Sequence, residues 1–526
     1  MEICMNIKEV LADHTALRDD LFVRGFLITE NADINTEEFP FYGRWKSRKM
    51  CGMQFFWHCK TGAYFYESDD VALFLFGHAY NPFTMQADEQ AILQRLCEHW
   101  AKDFYQCLDE LTGIFILGIL HDAKLTFITD ASGIQSACHG VIDDRFYLCS
   151  HAQLVGDLCS LEMDAFVKEL IGYKWYGRIL GPYLPADLTP FAQVKRVVPN
   201  QAYTYCHGCV THKRFYPNRE LIECNDPAAY RQVIEQSADI LQRNMQLITE
   251  KWERPQISLT GGIDSNTTFA AANGMYERLE SFSYLAADKE IPDCDAAKRI
   301  SDRFSVPWTL YEVPRNSDEI PLFEEKKAVL MHNNGYVAYT PDHELRKRMV
   351  LKEKLAADVE IKSWVSETVR GYWYKYYSRH SMPKLSPRLF RNLYKLFILD
   401  RALARRVDAL FAQYIKDYEY DTVSAAYLPA DLHYWEVACG SFGSLNISEM
   451  KYYADITVIY NNRRFLDLML SVPLEKRISD RHHLDIKRIL NKDLWEMGIR
   501  VVNKTETKTR ARLLGAIFAI NSHLPF

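Results

Sequence analysis

The segment Ser258-Leu259-Thr260-Gly261-Gly262-Ile263-Asp264-Ser265 concentrates the residue types that polyphosphate chemistry needs. Two adjacent glycines let backbone amides approach a polyanion without side-chain obstruction. A helix beginning directly after them adds a favourable dipole for pyrophosphate. Thr260 and Ser265 bring hydroxyl donors. Asp264 cannot meet a phosphate directly, because like charges repel; its sensible role is to hold a Mg2+ that bridges phosphates. A Walker pattern GxxxxGK[ST] is absent, so γ-phosphate transfer of the common kind is not indicated. The plainer reading of a glycine pair is a strand-to-helix turn with Asp and Ser as cap residues. The full SxTGGxDS string in strand-turn-helix context is more specific than that.

The elements that must position this loop follow from periodicity. Over the first two hundred residues, short apolar runs broken by turn residues give a β-rich texture, with one helix expected from about 89 to 108. Cys206-His207-Gly208-Cys209 reads as a hairpin turn rather than a zinc seed, since no second ligand pair matches it. From Asp226 to Trp252 the pattern is one long amphipathic helix. Strands at 255–259, 279–285 and 308–313 then alternate with helices, which implies a parallel α/β sheet. Beyond Asp342 the chain reads as mainly helical, with short apolar segments near 359–365. The segment around 217–225 marks the boundary between the halves.

Composition bounds the rest. The 526 residues are 48% hydrophobic and 25% charged, ordinary for a soluble globular protein. Sixty-three Lys and Arg against 69 Asp and Glu leave a net charge of -6, with no basic field for nucleic acid or an acidic membrane. No apolar run reaches bilayer length. Thirteen scattered cysteines fit reduced thiols, and the expected location is cytoplasmic.

The loop resembles that of the N-type ATP pyrophosphatases (the PP-loop superfamily), and its surroundings resemble asparagine synthetase over nearly the whole chain. In the first half the likeness is carried by Phe76 to Asn81, Leu108 to Asp122, Thr129 to Gly140 and Val197 to Tyr205. In the second half it is carried by Ile291 to Val313, Ser366 to Trp373 and Tyr460 to Arg477. The resemblance implies an α/β (α+β) chain of two domains. Residues 1–217 would form an Ntn-hydrolase-like antiparallel β-sandwich, a degenerate type 2 glutamine amidotransferase domain. Residues 225–526 would form the ATP pyrophosphatase domain, a parallel α/β sheet with a helical extension. The implied reaction has two steps: a carboxylate attacks the α-phosphorus of ATP, releasing pyrophosphate, and an amine then displaces AMP to form an amide. Ser258 and Tyr284 would contact adenosine; Thr260, Gly261, Gly262, Asp264 and Ser265 would cradle pyrophosphate and its Mg2+. Gly371 would help complete the site. Lys504 is the match for a lysine on the α-phosphate, with Lys508 as the fallback and a solvated basic segment as the plain alternative.

Two departures shape the functional expectation. Glutamine-using relatives expose an N-terminal cysteine after Met removal; this sequence begins Met1-Glu2, with Cys4 following, and the glutamine-holding Arg-Gly-Pro-Asp element is missing near Gly43-Arg44-Trp45. No glutaminase activity is expected, a loss shared with β-lactam synthetases and lasso peptide cyclases. The second departure lies at 362–372, where the general-base glutamate of the family falls on Ser363 and the second metal-binding aspartate on Ser366, while Glu367 and Gly371-Tyr372 match. Either another residue, Glu367 or a nearby tyrosine, supplies the base, or the second half-reaction differs; Arg370 replaces a glycine, reaching either a substrate anion or an ion-pair partner. The expectation is an ATP-dependent, AMP-forming carbon–nitrogen ligase for a small-molecule or peptide carboxylate and an amine or ammonia donor. Its alternatives are intramolecular lactam or macrolactam closure and a catalytically inactive scaffold. A homodimer is compatible with this expectation. His482-His483 reads as a polar helix surface, and 346–354 as a solvated helix face.

Overall fold

The computed structural model describes residues 6–179, 181–395, 400–501 and 508–523. Among the described residues, twelve strands precede residue 215: β1 (Phe26–Thr29), β2 (Trp45–Met50), β3 (Met53–His58), β4 (Ala63–Glu67), β5 (Ala72–Tyr80), β6 (Thr112–His121), β7 (Lys124–Thr129), β8 (Cys138–Ile142), β9 (Arg145–Cys149), β10 (Val194–Arg196), β11 (Gln201–Cys206) and β12 (Cys209–Arg214). They form two six-stranded antiparallel sheets, ordered β10-β8-β9-β1-β3-β2 and β12-β11-β7-β6-β5-β4. The sheets face each other through aromatic pairs: Phe26 stacks on Phe76 at 5.2 Å, and Phe146 on Tyr205 at 4.2 Å.

Helices cover both outer faces. Ile7–Asp13 and Ala152–Leu158 pack on the outer face of the first sheet with Leu27, Phe56 and Tyr147. Glu89–Glu98 and Phe104–Asp109 pack on the second with Leu73, Leu75 and Leu117. A strand buried on both faces has no polar side to show, which is why β5 and β6 are continuous apolar runs instead of alternating ones. The single helix expected over 89–108 is two helices, with His99 to Asp103 turning the chain between them. At the Cys206–Cys209 hairpin, His207 and Gly208 both take positive φ, 49° and 75°, as a tight two-residue turn requires.

The second sheet system begins after the helix Pro227–Lys251, which Asp226 caps by accepting from the Ala228 and Ala229 amides. Its strands are β13 (Pro255–Ser258), β14 (Glu280–Leu285), β15 (Trp308–Glu312), β16 (Val359–Lys362) and β17 (Asp455–Val458), all parallel and ordered β15-β14-β13-β16-β17. The first three match the sequence expectation. β16 falls on the short apolar segment expected near 359–365, and β17 is a further strand in a region that is mainly helical, as expected. Both are four-residue strands isolated between helices, too short for periodicity to register.

The sandwich and the parallel sheet meet through buried polar groups. Thr457 of β17 bonds His78 at 3.0 Å and Tyr80 at 3.1 Å. Asn461 donates to Asp130 at 2.9 Å and to the Gly113 carbonyl at 2.7 Å. Among the described residues, no helix is long and apolar enough to cross a membrane.

Candidate functional site

The strand order of the parallel sheet singles out one crevice. The chain builds outward from β13 through β14 to β15, then returns to add β16 and β17 on the other side. Strand order therefore reverses between β13 and β16, and in open α/β sheets ligands bind beyond the carboxyl ends of the strands at such a reversal. The loops leaving these two strands are 259–262, which leads into the helix Ile263–Ala271, and 363–365, which leads into the short turn Ser366–Arg370. Val365 holds φ at 75°, an unfavourable conformation for a β-branched residue. Such outliers persist where the surroundings over-determine them, commonly at functional sites.

Within the first loop, every amide from Thr260 to Gly262 is bonded internally. Ser265 Oγ accepts from the Thr260 amide at 2.9 Å, Asp293 Oδ1 from the Gly261 amide at 2.9 Å, and Thr260 Oγ1 from the Gly262 amide at 3.2 Å. Ser265 Oγ donates in turn to the Ser258 carbonyl at 3.3 Å. Gly261 is glycine for a packing reason: a Cβ there would lie 2.2 Å from Val501 Cγ2 and 2.9 Å from Ala296 Cβ. A Cβ at Gly262 meets only Thr260 Oγ1, at 3.3 Å. Tyr284 lies near the end of β14 with the Lys347 ammonium 3.8 Å above its ring.

The second loop reaches Asp264 twice. Ser366 Oγ donates to Asp264 Oδ1 at 2.6 Å, and Arg370 Nη1 pairs with Asp264 Oδ2. Arg370 Nε donates to Asp480 Oδ1 at 2.8 Å, Lys375 pairs with the same carboxylate, and Arg500 Nη2 donates to Asp480 Oδ2 at 3.0 Å. Burial raises Asp480, but the bonds and charges of Arg370 and Lys375 outweigh it and hold the carboxyl well below its usual range. Burial, together with the charge of Arg370, brings Lys375 down to about 8. Glu367 is pushed up to about 7 by burial and by the neighbouring Asp264 charge. Ser363 bonds Thr268 Oγ1 at 2.8 Å, and Thr268 in turn bonds Tyr460 at 3.1 Å. Gly371, with φ of 61°, ends the turn against Leu474 and Ile478.

Beside this cluster opens a cavity of about 480 Å³ whose wall includes Glu367, Arg370, Tyr374, Lys375, Arg379 and Lys508. Of the two candidate lysines, Lys508 is on that wall, and Lys504 lies outside the described residues. Cys4 lies outside them as well.

Several participants were not legible. His482 and His483 are fully buried, not a polar helix surface. His482 Nδ1 lies 3.3 Å from the Lys476 carbonyl, which can only accept, so Nδ1 carries the proton. His482 Nε2 then accepts from His483 Nδ1 at 2.9 Å, and burial keeps both rings neutral. His483 Nε2 is thereby a bare, unpartnered nitrogen 3.7 Å from Asp264 Oδ1. Likewise 346–354 is not a solvated face: Lys347 and Arg348 are buried, and Arg348 pairs with Glu449 at 3.0 Å.

The Mg2+ implied by the resemblance does not fit these residues. The ion demands oxygen ligands in near-octahedral geometry. In this cluster both Asp264 oxygens are engaged, one by a guanidinium, and the next donor beside Oδ1 is an imidazole nitrogen. Both Asp480 oxygens are held by cations. Where Asp264 was expected to hold a metal, it holds Arg370.

No family model matches the sequence, and no curated protein matches it. Among solved structures, glutamine phosphoribosylpyrophosphate amidotransferase from B. subtilis, complexed with ADP and GMP, is similar at 10% identity over 70% of this chain and 74% of that one, with a TM-score of 0.22. A structure described as the allosteric regulatory enzyme of purine biosynthesis is similar at 9% identity over 56% of this chain and 75% of that one, with a TM-score of 0.25. At these values the likeness assigns neither a fold family nor an activity.

Proposed function

We propose that the chain is an ATP-dependent, AMP-forming carbon–nitrogen ligase whose β-sandwich is a degenerate amidotransferase-like domain without glutaminase activity. The observation that carries the reading is topological: the glycine loop and the Ser366–Arg370 turn leave the two strands that flank the reversal of strand order. ATP would lie across that crevice, with adenosine toward Ser258 and Tyr284 and its phosphates toward Thr260, Gly261, Gly262 and Ser265. A carboxylate oxygen of the acid attacks the α-phosphorus, and the bond to the bridging oxygen breaks to release pyrophosphate. The amine nitrogen then attacks the acyl carbon, AMP leaves with the C–O bonding pair, and the amine proton passes to Glu367. A carboxyl titrating near 7 on the cavity wall is matched to that proton transfer. For pyrophosphate to use the Gly261 amide, Asp293 must give it up.

The test is pyrophosphate release and ATP–pyrophosphate exchange across a panel of carboxylic acids and peptides. AMP and pyrophosphate in equal amounts are expected, whereas ADP and phosphate would contradict the reading. Glu367→Gln should keep exchange and lose amide formation. A product one water lighter than a single substrate would assign intramolecular lactam closure. A second reading, a scaffold that kept the fold without the chemistry, is favoured by the internal bonding of the loop amides; it predicts no exchange with any acid.

A further inference from the structure

Ser366 and Arg370 are four residues apart on one short turn, and both end on Asp264. A carboxylate at a phosphate site ordinarily earns its place by holding a divalent cation; here the countercharge is a side chain of the protein. Two of the five N–H groups of the Arg370 guanidinium go to Asp264 and Asp480, and the side chain borders the cavity. In the network itself three cations, Arg370, Lys375 and Arg500, meet two carboxylates, Asp264 and Asp480. Arg379 and Lys508 add positive charge on the cavity wall, where the facing carboxyl is Glu367. A planar guanidinium fixed by two carboxylates is preorganised for phosphate oxygens, and it costs no metal dehydration.

We infer that Arg370 takes the place of the divalent cation, so that the site binds its nucleotide triphosphate as the free anion, with Ser366, Asp264 and Asp480 positioning the guanidinium. This rests on the nucleotide reading above and adds to it the form in which the nucleotide binds. It also gives the two departures at 366 and 370 a single cause, since a carboxylate lost and a cation gained fall on the same partner.

The test is calorimetric titration of the full chain with ATP, once in excess EDTA and once in excess Mg2+. Binding in EDTA at least as tight as in Mg2+ is expected. The double variant Ser366→Asp/Arg370→Gly should lose roughly tenfold to a hundredfold in affinity in EDTA, the worth of a charge-assisted hydrogen bond, and recover it with Mg2+. Wild-type binding that requires Mg2+ would overturn the inference and leave the nucleotide reading standing. Binding under neither condition would overturn both, and the wild-type arms need no variant to fold.

Discussion

At the seam between sandwich and parallel sheet, Arg214 donates to both oxygens of Glu436 at 2.7 and 2.9 Å. Two more of its five N–H groups go to the carbonyls of Tyr418 and Tyr216, each at 2.9 Å, while Asn200 adds a further donor to Glu436 at 2.9 Å. At the crevice, Arg370 divides its guanidinium between two carboxylates and faces an open cavity. The same two functional groups thus serve different ends. A pair that is one-to-one and buried on both sides is a structural joint, because either partner left alone would be a buried charge. A cluster with more cations than carboxylates and a cavity beside it has bonding capacity left for a ligand.

Breaking the seam should have the largest effect. Glu436→Ala leaves Arg214 buried and unpaired and is expected to cost about 3–5 kcal/mol in chemical denaturation. A loss below about 1 kcal/mol would erase the contrast between the clusters. Next comes the glycine pair: Gly261→Ala, with its Cβ 2.2 Å from Val501, should lose about 1–3 kcal/mol. Gly262→Ala, with 3.3 Å to a hydroxyl, should lose less than about 1 kcal/mol. Equal losses would mean that packing does not distinguish the two positions. The last effect is confined to high pH and concerns Glu367. Its carboxyl titrates near 7 when folded against an ordinary 4.5, so the folded state holds a proton that the unfolded state releases. Stability should therefore fall as pH rises from 4.5 through 7. Glu367→Gln should match wild type at pH 4 and exceed it by about 3 kcal/mol at pH 8. A variant that gains nothing at pH 8 would mean that neither burial nor the Asp264 charge penalises the ionised carboxylate.

The loop and its strand were legible because a local string, an apolar run and a helix start coincide within ten residues. The sandwich strands were legible as β-rich texture, although burial of both faces removed the alternation that marks a half-exposed sheet. β16 showed only as a short apolar segment and β17 not at all, because each is four residues long and is defined by pairing with partners far along the chain. The Asp264 cluster was half legible. Asp264, Ser366 and Glu367 stand in recognisable strings, whereas Asp480 and His483 reach them from more than 100 residues away and carry no local signature. Arg370 was visible as an oddity, a charge where the resemblance expects glycine, but only the fold supplies its partners.

A nucleotide is proposed to bind where strand order reverses. Hydrogen–deuterium exchange of the full chain with and without ATP tests it most directly. Peptides spanning 258–268 and 363–371 should gain protection together, with the seam around Arg214 and Glu436 unchanged. Protection confined to the β-sandwich, or none at any saturating ATP concentration, would contradict it.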